Sequence, residues 1–175
     1  MKVSNISKNY SQSISHHINL DFSSDQIWNI ISKESNLELF HPFCKKNPVI
    51  AWKNDCHQDE IHYLNGFILE REFVLWKKNV GYDLVIGNKK HNKSFVSWRI
   101  INNKKKAKLS IAIYPYIFNM KPSLKDRFLF EVFVRYQLKS YLKSVLSGFK
   151  WHLENNKPTP KNHFGSHKWF SKNKG

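Results

Sequence analysis

Arg71 is the residue whose placement most demands a chemical explanation. Side chains of an extended strand alternate between two faces. A strand across residues 59–77 puts Ile61, Tyr63, Asn65, Phe67, Leu69, Arg71, Phe73 and Leu75 on one of them. The other carries His62, Leu64, Gly66, Ile68, Glu70, Glu72, Val74 and Trp76. The first face is predicted to be the interior, where a guanidinium is costly unless paired. A ligand carboxylate or polarised carbonyl would satisfy it. So would a neighbouring Glu, or a place near a strand end shortened by the Asn65-Gly66 turn, from which the side chain reaches water. His41, just before Pro42, could act as acid, base or hydrogen-bond donor, or simply cap a helix C-terminus through the dipole. Tyr63, Tyr82, Trp98, Tyr114 and Tyr116 each join an apolar body to a polar tip, which suits the lining of a binding site.

Other chemistries are poorly supported. Cys44 stands three residues from His41, but no third group orients such a pair as a nucleophile. Cys44, Cys56 and His57 form no CxxC motif, and His163 with His167 lacks a third ligand or an HExxH context, so no metal site is predicted. His16 falls on the inward phase of its strand and reads as a core residue. No GxSxG elbow, P-loop or GxGxxG occurs. This excludes the common hydrolase, NTPase and dinucleotide classes and leaves no cofactor expected.

Composition bounds the rest. The 175 residues suit one domain, and 41% hydrophobic residues exclude a disordered chain. The net charge is +16, with 13 basic and 10 acidic residues in 1–100 against 16 and 3 in 101–175. That asymmetry invites an anionic membrane or nucleic acid as partner. Nucleic acid is disfavoured, because 25 of the basic residues are Lys and only 4 are Arg, and no reading motif accompanies them. The two cysteines are expected to be reduced, and no targeting segment or apolar run of membrane-spanning length is seen, which predicts a cytoplasmic protein.

These residues must be held by elements that the patterning outlines. Ile14, Ile18, Leu20 and Phe22 alternate with polar residues as a half-buried strand. Ser23 and Gln26 then form a capping box opening a short helix. Ser35-Asn36-Leu37-Glu38 repeats the signature before Pro42 ends a second helix. Short strands are predicted near 48–53, 59–65, 67–77, 80–87, 94–102 and 107–117, joined by turns at Lys53-Asn54-Asp55, Asn65-Gly66, Asn79 with Gly81, 87–92 and Asn102-Asn103-Lys104. Connections this short require antiparallel pairing. Past Pro122, one long helix carries an apolar stripe of Val134, Leu138, Tyr141, Leu142, Val145 and Phe149 beside a basic edge of Arg135, Lys139, Lys143 and Lys150. The domain is expected over 14–155, with an N-terminal arm at 1–13 and a basic tail at 156–175 that Phe164, Trp169 and Phe170 could pin to the body.

The fold class is therefore α+β: a seven-stranded curved antiparallel sheet, two short helices and a long C-terminal helix. Ile18-Asn19-Leu20-Asp21-Phe22 leading into Ser24-Asp25-Gln26-Ile27-Trp28, then Phe40-His41-Pro42-Phe43, resembles the helix-grip fold of the START-like superfamily. Tyr141 to Phe149, and a tail with Phe164-Gly165-Ser166-His167 and Trp169-Phe170-Ser171, add to the likeness. The group it resembles is the polyketide cyclase/dehydrase and lipid-transport group of SRPBCC proteins. The resemblance implies a cavity between sheet and helix for a hydrophobic small molecule such as a lipid, quinone or polyketide, with cyclase or dehydratase activity in some relatives. None of these pieces is a catalytic signature. Within that cavity His41 is expected near the mouth, and His41, Tyr63, Phe67, Arg71, Tyr82, Trp98, Tyr114, Leu138 and Leu142 are the candidate ligand-facing residues. The basic helix edge is the candidate surface for an anionic membrane.

Overall fold

A computed structural model describes residues 12–53, 56–88, 93–103, 106–119 and 123–171. The expected N-terminal arm and the loops at 54–55, 89–92 and 104–105 lie largely outside those residues. Strand β1 (Ile14–Leu20) runs into α1 (Ser24–Ile31), α2 (Leu37–Phe40) and a short β2 (Cys44–Lys46). A meander follows: β3 (Val49–Lys53), β4 (Cys56–Tyr63), β5 (Ile68–Lys77), β6 (Gly81–Gly87), β7 (Ser94–Asn103) and β8 (Lys106–Tyr114). All pairings are antiparallel, in the order β1-β8-β7-β6-β5-β4-β2, with β3 also on β4. A 3₁₀ turn at Tyr116–Phe118 leads to α3 (Leu124–Leu129), a π-helical turn (Phe130–Val134) and α4 (Arg135–Asn155), one continuous helix. The seven predicted strands are all present. The three-residue β2 is additional, and too short for a pattern to show.

The sheet curls around α4, which buries Leu138, Leu142, Val145 and Phe149 against it. Local signals set the ends of the elements. Ser23 Oγ accepts from the Gln26 amide at 3.3 Å while Gln26 Oε1 accepts from the Ser23 amide at 2.9 Å, the expected capping box. The second box does not form. Glu38, the acid expected to pair with Ser35, accepts instead from the Asn47 amide at 2.7 Å, and Asn36 stands as the N-cap of α2 in a helical conformation without a side-chain cap, its amide donating to the Ile31 carbonyl. Helices α2 and α4 touch through Gly148, where a Cβ would stand 2.2 Å from the Phe40 carbonyl oxygen.

Segments 59–65 and 67–77 form a hairpin about the expected Asn65-Gly66 turn, with Gly66 at φ of 89°, and not one continuous strand. The interior face survives the break. The partners Ile61↔Leu69 and Asp59↔Arg71 are all odd-numbered, so the turn keeps one parity on one face. Beyond Phe73 the pairing shifts at a bulge, and Trp76, expected outside, packs inward against Trp28, Phe73 and Tyr82.

Residues 156–171 pack back on the domain. The Thr159 amide donates to the Leu39 carbonyl at 2.9 Å, its hydroxyl to the Gly148 carbonyl at 2.8 Å, and the Asn162 amide to the Pro42 carbonyl at 3.0 Å. Phe170 stacks on Tyr63 with ring centres 4.4 Å apart. Among the described residues no helix is long and apolar enough to cross a membrane.

Candidate functional site

Between the concave sheet and α4 lies a cavity of about 550 Å³. Its walls are mostly aliphatic: Ile61, Leu84, Val96 and Ile111 from the sheet, Leu138 and Leu142 from the helix. Half-exposed Phe67 and exposed Asn88 stand at its rim. A helix laid across a curled sheet leaves such a gap, because inward side chains on a concave surface cannot all reach one another.

Of the nine candidate residues, His41, Tyr63, Phe67, Arg71, Trp98, Leu138 and Leu142 border the cavity. Tyr82 and Tyr114 do not. Tyr82 is inward but sealed in an aromatic cluster with Phe73, Trp76 and Trp98, its hydroxyl without a hydrogen-bond partner of good geometry among the described residues. Tyr114 ends β8 and packs on Phe95, opposite it in the ladder.

Arg71 is satisfied from within the protein, not by a ligand carboxylate and not by a Glu. Asp59, directly across the hairpin, accepts from Nε at 2.6 Å and from Nη2 at 2.5 Å, and is itself fully buried. Nη2 also reaches Asn47 Oδ1 at 3.5 Å, and Phe73 lies under the guanidinium at 5.2 Å. The sign of Asp59 was legible: a hairpin centred on Asn65 sets 59 against 71 on the interior face.

The second polar feature joins three elements. His41 Nε2 is 2.8 Å from the Tyr141 hydroxyl, which is 3.1 Å from that of Tyr63. His41 Nδ1 accepts from the Phe43 amide at 3.2 Å. The His41 backbone amide also caps α2, donating to the Leu37 carbonyl at 2.9 Å, but the neutral ring offers no charge to the helix dipole. Tyr141 is the residue that sequence reasoning placed only in an apolar stripe. Its spacing serves packing and polarity equally, and nothing local marks its hydroxyl.

Burial dominates the protonation of this group. It pushes His41 down to about 3, helped by the Arg71 and Lys161 charges, and pushes Tyr63 up to about 12 and Tyr141 well above the ordinary tyrosine value. All three are neutral at neutral pH. Cys44 is also buried and its thiol is pushed up to about 12, which leaves it protonated and removes it as a nucleophile. Among the described residues no three His, Cys, Asp or Glu side chains converge as metal ligands.

The depressed His41 value carries a pH prediction. The native ring stays neutral while the unfolded ring, near 6.5, takes up a proton. Its contribution is present above pH 6.5 and is lost as pH falls toward 3, by about 1.4 kcal/mol per pH unit. Urea unfolding between pH 6.5 and 4 is expected to show a shallower pH dependence in His41→Gln than in the parent. Equal slopes would place the ring in water.

No protein-family model matches the sequence, and no curated protein resembles it at the level of sequence. Solved structures do match. A START superfamily protein from Mycobacterium smegmatis superposes with a TM-score of 0.62 at 14% identity, over 83% of this chain and 99% of that one. DynU16, a protein in the dynemicin biosynthetic locus, gives 0.63 at 11% identity over 86% of this chain, which spans 50% of DynU16. XoxI from Bacillus cereus gives 0.59 at 9% identity, over 82% of this chain and 96% of that protein. The chain has the START-like helix-grip fold.

Proposed function

We propose that the protein binds, and by binding can carry, a hydrophobic or amphipathic small molecule in the space between the sheet and α4. The observation that carries this reading is the cavity of about 550 Å³, apolar in its walls with polar groups gathered at His41, Tyr63 and Tyr141. That size and that mixture of many apolar and few polar groups are usual for small-molecule sites. The likeness to a START superfamily protein and to DynU16 supports it. Binding is favoured over a cyclase or dehydratase, because His41 is neutral and Arg71 is taken up by Asp59, so no poised acid and base pair faces the cavity. Native mass spectrometry with 2-acetylanthracene is expected to give a 1:1 adduct with the parent and a markedly weaker one with Val96→Trp, whose indole takes up part of the space. Equal adducts in both would move the site elsewhere.

A second reading, docking on an anionic lipid surface, rests on a different face. The expected basic edge is partly spent: Arg135 pairs with Glu131 at 2.6 Å and Lys150 with Glu154 at 3.6 Å. Just before it, Leu124, Phe128, Val132 and Tyr136 are 84%, 71%, 63% and 71% exposed in one helical stripe. Lys125, Arg127 and Lys139 flank them without an ion pair among the described residues. Apolar residues ringed by cations suit an anionic bilayer surface. Vesicles of phosphatidylserine and phosphatidylcholine are expected to bind the parent several-fold better than Phe128→Asp, and less well as salt rises. Salt-independent binding, or binding unchanged in the variant, would exclude it. Nucleic acid remains disfavoured, since three of the four arginines are held by Asp59, Asp83 and Glu131.

A further inference from the structure

We infer that the Tyr63 and Tyr141 pair offers one surplus, uncharged hydroxyl hydrogen to the cavity, and that the ligand is therefore one bearing a neutral carbonyl-class acceptor. This rests on the binding reading above and names the chemistry of the molecule bound.

The inference is a count of hydrogens. Because the Phe43 amide donates to His41 Nδ1, that nitrogen is the bare one and the neutral ring carries its hydrogen on Nε2. Nε2–H and two tyrosine O–H groups supply three hydrogens. They meet in only two contacts, at 2.8 Å and 3.1 Å, and neither hydroxyl has another partner among the described residues. One hydrogen is left over whichever way the hydroxyls rotate. If Tyr141 donates to Tyr63, the spare is on Tyr63; if Tyr63 donates to Tyr141, the spare is on Tyr141. All three residues border the cavity.

The charge around this donor selects among acceptors. His41 carries no positive charge, and Arg71 is matched by Asp59, so the wall offers an anion no net positive charge to offset its desolvation. A ketone or similar carbonyl accepts the spare hydrogen without that cost. A pure hydrocarbon leaves it unpartnered, or displaces a water that had satisfied it, and both weaken binding.

The test uses three probes of one skeleton: 2-acetylanthracene, 2-ethylanthracene and anthracene-2-carboxylate. At pH 7 the ketone is expected to bind roughly tenfold more tightly than the hydrocarbon, with the carboxylate weakest and the ketone's infrared carbonyl band moved to lower frequency on binding. Tyr63→Phe/Tyr141→Phe bares the His41 Nε2–H, which then becomes the spare donor, so the variant that removes it is His41→Leu/Tyr63→Phe/Tyr141→Phe, expected to lose the preference and the band shift while still binding 2-ethylanthracene. The band in the parent reads the same hydrogen bond should the triple variant fold poorly. Equal affinity for ketone and hydrocarbon with an unshifted band, or tightest binding of the carboxylate, overturns the donor inference and leaves the cavity reading standing. Saturable binding of none of the three overturns the cavity reading itself.

Discussion

Asp59→Asn is expected to cost about 3–5 kcal/mol of stability, the usual penalty for stranding one member of a buried ion pair. Arg71 is 4% exposed and Asp59 is 0% exposed, so water cannot replace the lost carboxylate charge. The guanidinium stays charged, and Asn47 at 3.5 Å is too weak a substitute. For a chain of this size the loss corresponds to a fall in Tm of roughly 6–20 °C, measurable by calorimetry. Asp59→Leu with Arg71→Met is expected to recover most of it, because two apolar side chains leave no charge to compensate. The double variant should keep its preference for 2-acetylanthracene, whose acceptor is bound elsewhere. A Tm for Asp59→Asn within about 2 °C of the parent would mean that Arg71 is solvated.

Gly148→Ala is expected to destabilise, against the helix scale. In a helix interior Ala is favoured over Gly by about 1 kcal/mol. Here the new Cβ would lie 2.2 Å from the Phe40 carbonyl oxygen and 3.2 Å from Pro42 Cδ. A backbone carbonyl cannot rotate away as a side chain can, so α2 must move off α4. The overlap outweighs propensity, and a net loss of about 1–3 kcal/mol follows, as for other overpacked sites. His41 is the next residue after Phe40, so the same movement should lengthen its contact with Tyr141 and weaken discrimination between ketone and hydrocarbon probes. An unchanged or raised Tm would show that the two helices are not in backbone contact.

The architecture was readable because its signals are local. Alternation in Ile14 to Phe22, the Ser23 and Gln26 box, the turns at Gly66 and Gly81, and the 3.6-residue stripe of α4 each act over a few residues. The misreadings arise where tertiary contacts decide. Trp76 changed face because a bulge after Phe73 resets the alternation, and a bulge leaves no mark in a hydrophobic pattern. Glu38 left the expected box with Ser35 for the Asn47 amide, a partner that only the folded loop supplies. Tyr82 faces inward as its phase requires, yet its own aromatic neighbours close it off from the cavity.

The site was half legible for the same reason. Arg71 stood out because a charge on an apolar face is conspicuous, and its partner Asp59 shares its parity across the turn. Tyr141 was hidden, since its hydroxyl acquires meaning only when His41, 100 residues away, and Tyr63, 78 residues away, are folded beside it. Phe170 was expected to pin the tail to the body, but its place beside Tyr63 at the cavity depends on the path of the strap. The polar end of the cavity is thus assembled from the end of α2, from β4, and from α4 with the C-terminal strap that follows it, three stretches far apart in sequence.

The most direct test of a binding cavity is a crystal structure of the protein with 2-acetylanthracene. The expected result is the anthracene between the sheet and α4, against Val96, Ile111 and Leu142, with its carbonyl oxygen about 2.7–3.0 Å from the hydroxyl of Tyr63 or Tyr141. A cavity collapsed or filled with ordered water, with the probe absent or on the outer surface, would contradict it.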